Sequence, residues 1–225
     1  MIIPAIIAKD FEELKGKLSH IDGLVAWAQI DVMDGVFVPS VSWNNPEDLN
    51  DLNAAVNLEV HLMVSHPENS IDGWLHSPVK RILLHYESTN ADILAGLLKK
   101  ISDVGKVGGV VLKLETPLWV VDFLIDSLKA KSYKLKAVQL MAIAEIGYHG
   151  HPFEEKVLER IRTLHEKYQD VTISVDGGVN LENTRKILDA GADNLMVGSI
   201  IFKIANIKET LEKFRFFFCL FRYLF

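Results

Sequence analysis

The chain has 225 residues, a formal net charge of −6 and one cysteine, Cys219. That length suits one α/β domain whose core needs no cross-links. The lone cysteine excludes an internal disulfide and agrees with a reducing, cytoplasmic setting, and the acidic balance offers no field for nucleic acid.

Short β-branched runs alternate with amphipathic stretches along the whole chain. In order, Ile2–Ile7 predicts a strand, Phe11–Ile21 a helix, Val25–Val32 a strand and Pro46–Val56 a helix. Leu58–Val64, Pro67–Leu75, Val79–His85 and Asn90–Val104 continue the alternation. So do Gly109–Leu114, Pro117–Ala130, Ala137–Ile143 and Phe153–Tyr168. Val171–Val175, Asn180–Ala190, Asn194–Val197 and Ile207–Phe217 complete it. Pro46, Pro67 and Pro117 fall at first-turn positions, Asn180 reads as an N-cap, and Gly191 ends its helix. Eight βα units in this length favour a closed (β/α)8 barrel over an open doubly wound sheet.

The barrel is expected over residues 1–213, with an aromatic-rich tail at 214–225. That tail reads as the end of the last helix plus a sticky segment. The alternative is an interfacial anchor or an oligomer contact. The start is apolar but lacks a charged leader, so no signal peptide is expected, and no apolar run reaches the ~18 residues of a membrane span.

Ligands of such folds sit at the carboxyl ends of the strands. There the sequence places polar residues in strand after strand: Gln29 and Asp31, His61, His85 and Glu87, Asp176. Gln29, Asp31 and Met33 share one strand face, as do His61 and Met63. If that face is interior, two carboxylates, an imidazole and an amide converge, and buried carboxylates need partners or a metal ion. Taken singly, each has a plainer explanation: a turn aspartate, a core histidine, an ordinary Asp-Gly turn. The loops after strands 7 and 8, with Gly177, Gly178, Gly198 and Ser199, suit backbone contacts to a phosphate. Tight turns that need glycine are the plain alternative.

Taken together, these segments resemble ribulose-phosphate 3-epimerases. The resemblance rests on Asp31-Val-Met-Asp-Gly-Val-Phe-Val-Pro39, Leu58-Glu-Val-His-Leu-Met63, Gly109-Val-Val-Leu with Glu115-Thr-Pro-Leu118, Val175-Asp-Gly-Gly-Val179 and Gly191-Ala-Asp-Asn-Leu-Met-Val-Gly-Ser199. It covers about residues 1 to 213, in order. It implies interconversion of D-ribulose 5-phosphate and D-xylulose 5-phosphate, with Asp31 and Asp176 as the two acid–base groups. It also implies a divalent cation (Zn, Fe, Mn, Co or Mg) on Asp31, His61, Asp176 and the position of Gln29. Met33, Met63 and Met141 match methionines lining the reacting carbon. Gly147 and Gly150 match the loop that folds over the phosphate.

Departures are specific. Gln29 stands for histidine, Ala5 and Ala8 for serines, and Lys113-Leu114 for Asn-Pro. Ala144–His151 replaces Asn-Pro-Gly-Phe-Gly-Gly-Gln, with His149 and His151 as solvated loop residues or phosphate contacts. Three readings follow: the epimerase, an epimerase of another ketose phosphate, and a non-catalytic sugar-phosphate-binding barrel. The partner is a small sugar phosphate, with a homo-oligomer as a further expectation.

Overall fold

The structure, a computed structural model, describes residues 1–148, 150–203 and 206–222, and the side chains of these up to residue 218. Eight parallel strands close in sequence order: β1 (Ile2–Ile6), β2 (Trp27–Met33), β3 (Asn57–Met63), β4 (Arg81–His85), β5 (Val107–Leu112), β6 (Ala137–Met141), β7 (Thr172–Asp176) and β8 (Asn194–Val197). Pairing of β8 with β1 through Ile3 and Met196 removes the sheet edges. This is the expected (β/α)8 barrel.

The strand period of two divides the sheet into two faces. Ile30, Val60, Ile82, Val110, Val138, Ile173 and Leu195 point outward into one continuous apolar cluster shared with the helices. The helices supply Leu14 and Leu18 from α1 (Phe11–Ile21), Leu94 and Leu98 from α3 (Ala91–Asp103), and Val121 and Leu124 from α4 (Trp119–Lys129). α5 (Val157–Lys167) and α6 (Leu181–Asp189) complete this ring, with Ile161 and Ile187 fully buried. Asn180 caps α6 by a reciprocal exchange with Asn183, as its sequence predicts. The alternate residues face inward, and register aligns them across neighbours: Ala5 with Gln29, Asp31 with His61, Met33 with Met63, Met141 with Asp176.

Several expected helices differ. Pro46–Val56 forms only a 3₁₀ turn over Pro46–Asp51. There the Asp48 carboxylate takes hydrogen bonds from the Trp43 indole and the Asn45 amide, side-chain contacts that compete with a helical ladder. Pro67–Leu75 splits into a 3₁₀ turn, Pro67–Asn69, and the short α2, Ile71–His76. α4 starts beyond Pro117, at Trp119, with Leu118 as its cap. At the other end of the chain, α7 (Ser199–Phe202) precedes α8 (Ile207–Arg222), which runs unbroken across position 213. Phe214 is fully buried, Phe216 is exposed, and residues 223–225 lie outside the described part. No helix among the described residues is long and apolar enough to cross a membrane.

Candidate active site

The inward face opens at the carboxyl ends of the strands into a cleft of about 460 Å³. Asp31, His61, Met63, Met141 and Asp176 line its inner part, and Gly147, Gly150, Gly177, Gly178, Gly198 and Ser199 line the part beside β7 and β8. Met33 is buried behind, packed with Met63 and Met141 in a small apolar cluster inside the barrel. Ala5 lines the floor, a methyl where a hydroxyl would offer a hydrogen bond. His151 lines the cleft and stands 6.1 Å from the Tyr148 ring, while His149 lies outside the described residues.

β2 and β7 reach the mouth with β1 and β8 between them. Their carboxylates are joined by one amide: Gln29 Nε2 donates to Asp31 Oδ1 at 2.8 Å and to Asp176 Oδ2 at 2.8 Å. Gln139 Nε2, from β6, also donates to Asp176 Oδ2, at 3.0 Å. His61 Nδ1 stands 3.2 Å from Asp31 Oδ1 and 3.4 Å from Asp176 Oδ2. Burial, above all, pushes the Asp31 carboxyl up, because its charged form is cut off from water. Burial works to lower the His61 pKa, but its hydrogen bonds to Asp176 and Asp31 prevail and lift it to about 9.

Asp31, His61 and Asp176 each bring one ligand atom to within 4.8 Å of the others, so the three form a possible metal site. The donor set of two carboxylates and an imidazole suits a divalent cation. Gln29 and Gln139 fit it in a specific way. The carbonyl oxygens of both amides are buried without a partner, while both nitrogens face the carboxylates. A half-turn of the Gln29 amide exchanges the two atoms and presents an oxygen ligand instead of an N–H bridge.

Behind His61 lies a second row of polar groups. His61 Nε2 meets His85 Nε2 at 2.9 Å, and His85 Nδ1 meets Glu87 Oε2 at 3.1 Å. Burial pushes His85 down to about 4. Glu87 is held at about 2, because hydrogen bonds from His85, Thr116 and the Lys113 N–H outweigh the cost of burial. His85 and Gln139 gained no role from the sequence, although the period of two places His85 on the face of Leu83 and Gln139 on that of Met141. His85 pairs in register with Val111, and Gln139 with Val111 and Ser174, so register sets neither beside an ionisable side chain. Asp34, by contrast, shapes a loop. It accepts from the N–H groups of Val36, Phe37 and Ser65, at 2.8, 2.9 and 2.7 Å.

The part of the cleft beside β7 and β8 is built from backbone. Gly177 and Gly178 have φ of 107° and 65°, and a Cβ at Gly178 would lie 2.6 Å from the Phe153 nitrogen. Side chains are therefore excluded by conformation and by space, and main-chain groups come to the surface of the cleft. Sequence periodicity expected a helix from Phe153. That segment instead runs as irregular chain and a turn, with Phe153 against Gly178, and α5 begins at Val157. Among the described residues, Lys203 is the one lysine or arginine that lines the cleft.

The sequence model of the ribulose-phosphate 3 epimerase family matches residues 1–202. The chain is 32% identical over 224 residues to ribulose-phosphate 3-epimerase of Synechocystis sp., covering 96% of this chain and 93% of that one. It is 30% identical over 222 residues to the protein of that name from Bacillus subtilis, covering 95% and 97%. Among solved structures, 3-hexulose-6-phosphate synthase superposes with a TM-score of 0.63 at 18% identity, covering 96% of this chain and 98% of that one, a likeness of fold alone. The chain belongs to the ribulose-phosphate 3-epimerase family, isomerases that act on carbohydrate phosphates.

Proposed function

We propose that this chain interconverts D-ribulose 5-phosphate and D-xylulose 5-phosphate by two-base proton transfer at C3. The observation that carries the reading is the pair Asp31 and Asp176, from β2 and β7, which line one cleft and are held by a shared amide. One carboxylate removes the C3 proton from one face of the substrate. The other, in its acid form, returns a proton to the opposite face, so the configuration inverts. The raised pKa of Asp31 suits a group that must hold a proton for part of the cycle.

Asp31, His61 and Asp176 would hold a divalent cation, with Gln29 as a fourth donor through its carbonyl oxygen. When bound, such an ion supplies Lewis-acid polarisation of the ketone beside C3. Met63 and Met141 turn apolar sulfur and methyl groups toward the reacting carbon and limit water there. The main chain around Gly177, Gly178, Gly198 and Ser199 binds the phosphate, with Gly147 and Gly150 closing from the β6 side and Lys203 adding charge.

The direct test follows deuterium. Protein, ribulose 5-phosphate and a divalent ion in deuterated water should give xylulose 5-phosphate labelled at C3. If no label and no product appear with any of Zn2+, Mn2+, Co2+, Fe2+ or Mg2+, the reading is wrong.

A further inference from the structure

The contacts behind His61 carry a direction, and from it follows an inference that rests on reading His61 as a cation ligand. Glu87 Oε1 accepts the backbone N–H of Lys113 at 2.9 Å and the Thr116 hydroxyl. A backbone N–H can only donate, so this oxygen is fixed as an acceptor. The other oxygen, Oε2, faces His85 Nδ1 at 3.1 Å. Facing an ionised carboxylate, that nitrogen carries its hydrogen, and the neutral His85 ring then presents a lone pair at Nε2.

His85 Nε2 lies 2.9 Å from His61 Nε2, a separation that requires one hydrogen between them. The ring centres are 5.0 Å apart and the planes differ by 28°, so the rings meet edge to edge. His61 must therefore donate from Nε2. We propose that Glu87 and His85 are positioning residues that set the tautomer of His61, reserving its Nδ1 lone pair for a cation between Asp31 and Asp176. Neither residue lines the cleft, and both act through His61. A histidine ligand commonly has its outer nitrogen fixed in this way, and losing the outer partner weakens metal binding about 10- to 100-fold.

Glu87→Gln reverses the direction. Glutamine has one acceptor oxygen, which the Lys113 N–H requires. Its NH2 then faces His85 Nδ1 and donates, so His85 moves its hydrogen to Nε2 and donates to His61. His61 is left protonated at Nδ1, the atom that should bind. The full chain, labelled with 15N-histidine, is examined by long-range 1H–15N correlation with and without Zn2+, and Zn2+ affinity is measured by competition with a chromophoric chelator. We expect Nδ1–H at His85 in the wild type and Nε2–H in Glu87→Gln, with a Zn2+ affinity about 10- to 100-fold lower in the variant. Unchanged His85 tautomer or unchanged affinity in the variant overturns the proposal. Should Glu87→Gln not fold, the wild-type spectrum decides alone, since Nε2–H at His85 would overturn it. Wild-type protein that binds no Zn2+ but shows the predicted His85 tautomers would overturn the ligand role and with it this proposal's purpose. Binding with no epimerisation would overturn only the proposed reaction.

Discussion

On the outer face of the barrel, Ile30, Val60, Ile82 and Val110 pack into one apolar cluster with the helices. One residue along the same strands, the inner face carries Gln29, Asp31, His61 and His85, all buried and all linked by hydrogen bonds or close polar contacts. The two faces share a backbone and a level of burial, yet their energetics oppose each other. The outer face gains by leaving water. The inner face loses solvation and recovers only part of it through its contacts, as the raised Asp31 pKa and the orphaned amide oxygens show. A barrel of this kind places strain and chemistry on one side of the strand and stability on the other.

The largest expected effect breaks the inner face without breaking the fold. Asp31→Asn or Asp176→Asn should each lower kcat about 10³-fold, the scale of a lost acid–base group. Gln29 would still find an oxygen to accept its amide hydrogens, so the urea midpoint should move little. A variant that kept activity would refute the two-base assignment. On the outer face the effects trade places. Leu62→Ala empties a position that is 1% exposed and should cost about 2–5 kcal/mol in urea unfolding. The folded fraction should retain near-normal turnover, because the side chain points away from the cleft.

Stability also has an acid limb. Glu87 titrates at about 2 in the folded chain, below its ordinary 4.5. A group depressed on folding stabilises above its unfolded pKa, and that contribution is lost as pH falls from 4.5 through about 2. At pH 7 the contribution is of order 3 kcal/mol. Urea unfolding should therefore find Glu87→Gln weaker than wild type at pH 7, with the gap closing toward pH 2. A gap that does not depend on pH would place the effect elsewhere.

Much of this was legible in the sequence because period and spacing are local properties. The eight strands, the Asn180 cap and the convergence of Asp31, His61 and Asp176 follow from alternation, since a period of two decides which side chains share a face. What could not be read depends on three-dimensional neighbours. The stretch Pro46–Asp51 looks helical until Asp48 is seen to take the Trp43 and Asn45 donors. Phe153 leaves its helical pattern to back Gly178, from a part of the chain that local pattern does not connect to it. His85 and Gln139 sit in largely apolar strands, and only contacts across the barrel tie them to His61 and Asp176. Gln29 was visible as a departure, but the sequence alone did not indicate which end of its amide would face the carboxylates.

That last point gives the smallest and most discriminating prediction. As the amide stands, Gln29 Nε2 stabilises the cation-free site by bridging Asp31 and Asp176 at 2.8 Å each. A histidine at position 29 can present one ring nitrogen toward that space, and as a neutral ligand it binds zinc better than an amide oxygen does. Gln29→His should therefore move the two states in opposite directions. Without metal, the loss of a bridge made to charged acceptors should cost about 1–3 kcal/mol in urea unfolding. With Zn2+ in excess the variant should recover that loss and exceed wild type, since an ion that binds only the folded chain stabilises it by RT ln(1 + [Zn2+]/Kd), and its Kd is lower. Thermal unfolding of both proteins, with chelator and with Zn2+, measures the four corners of this comparison. If the variant is weaker in both conditions, position 29 serves the inner face only as a bridge. If it is weaker without metal and stronger with it, the same position serves as bridge and ligand in turn.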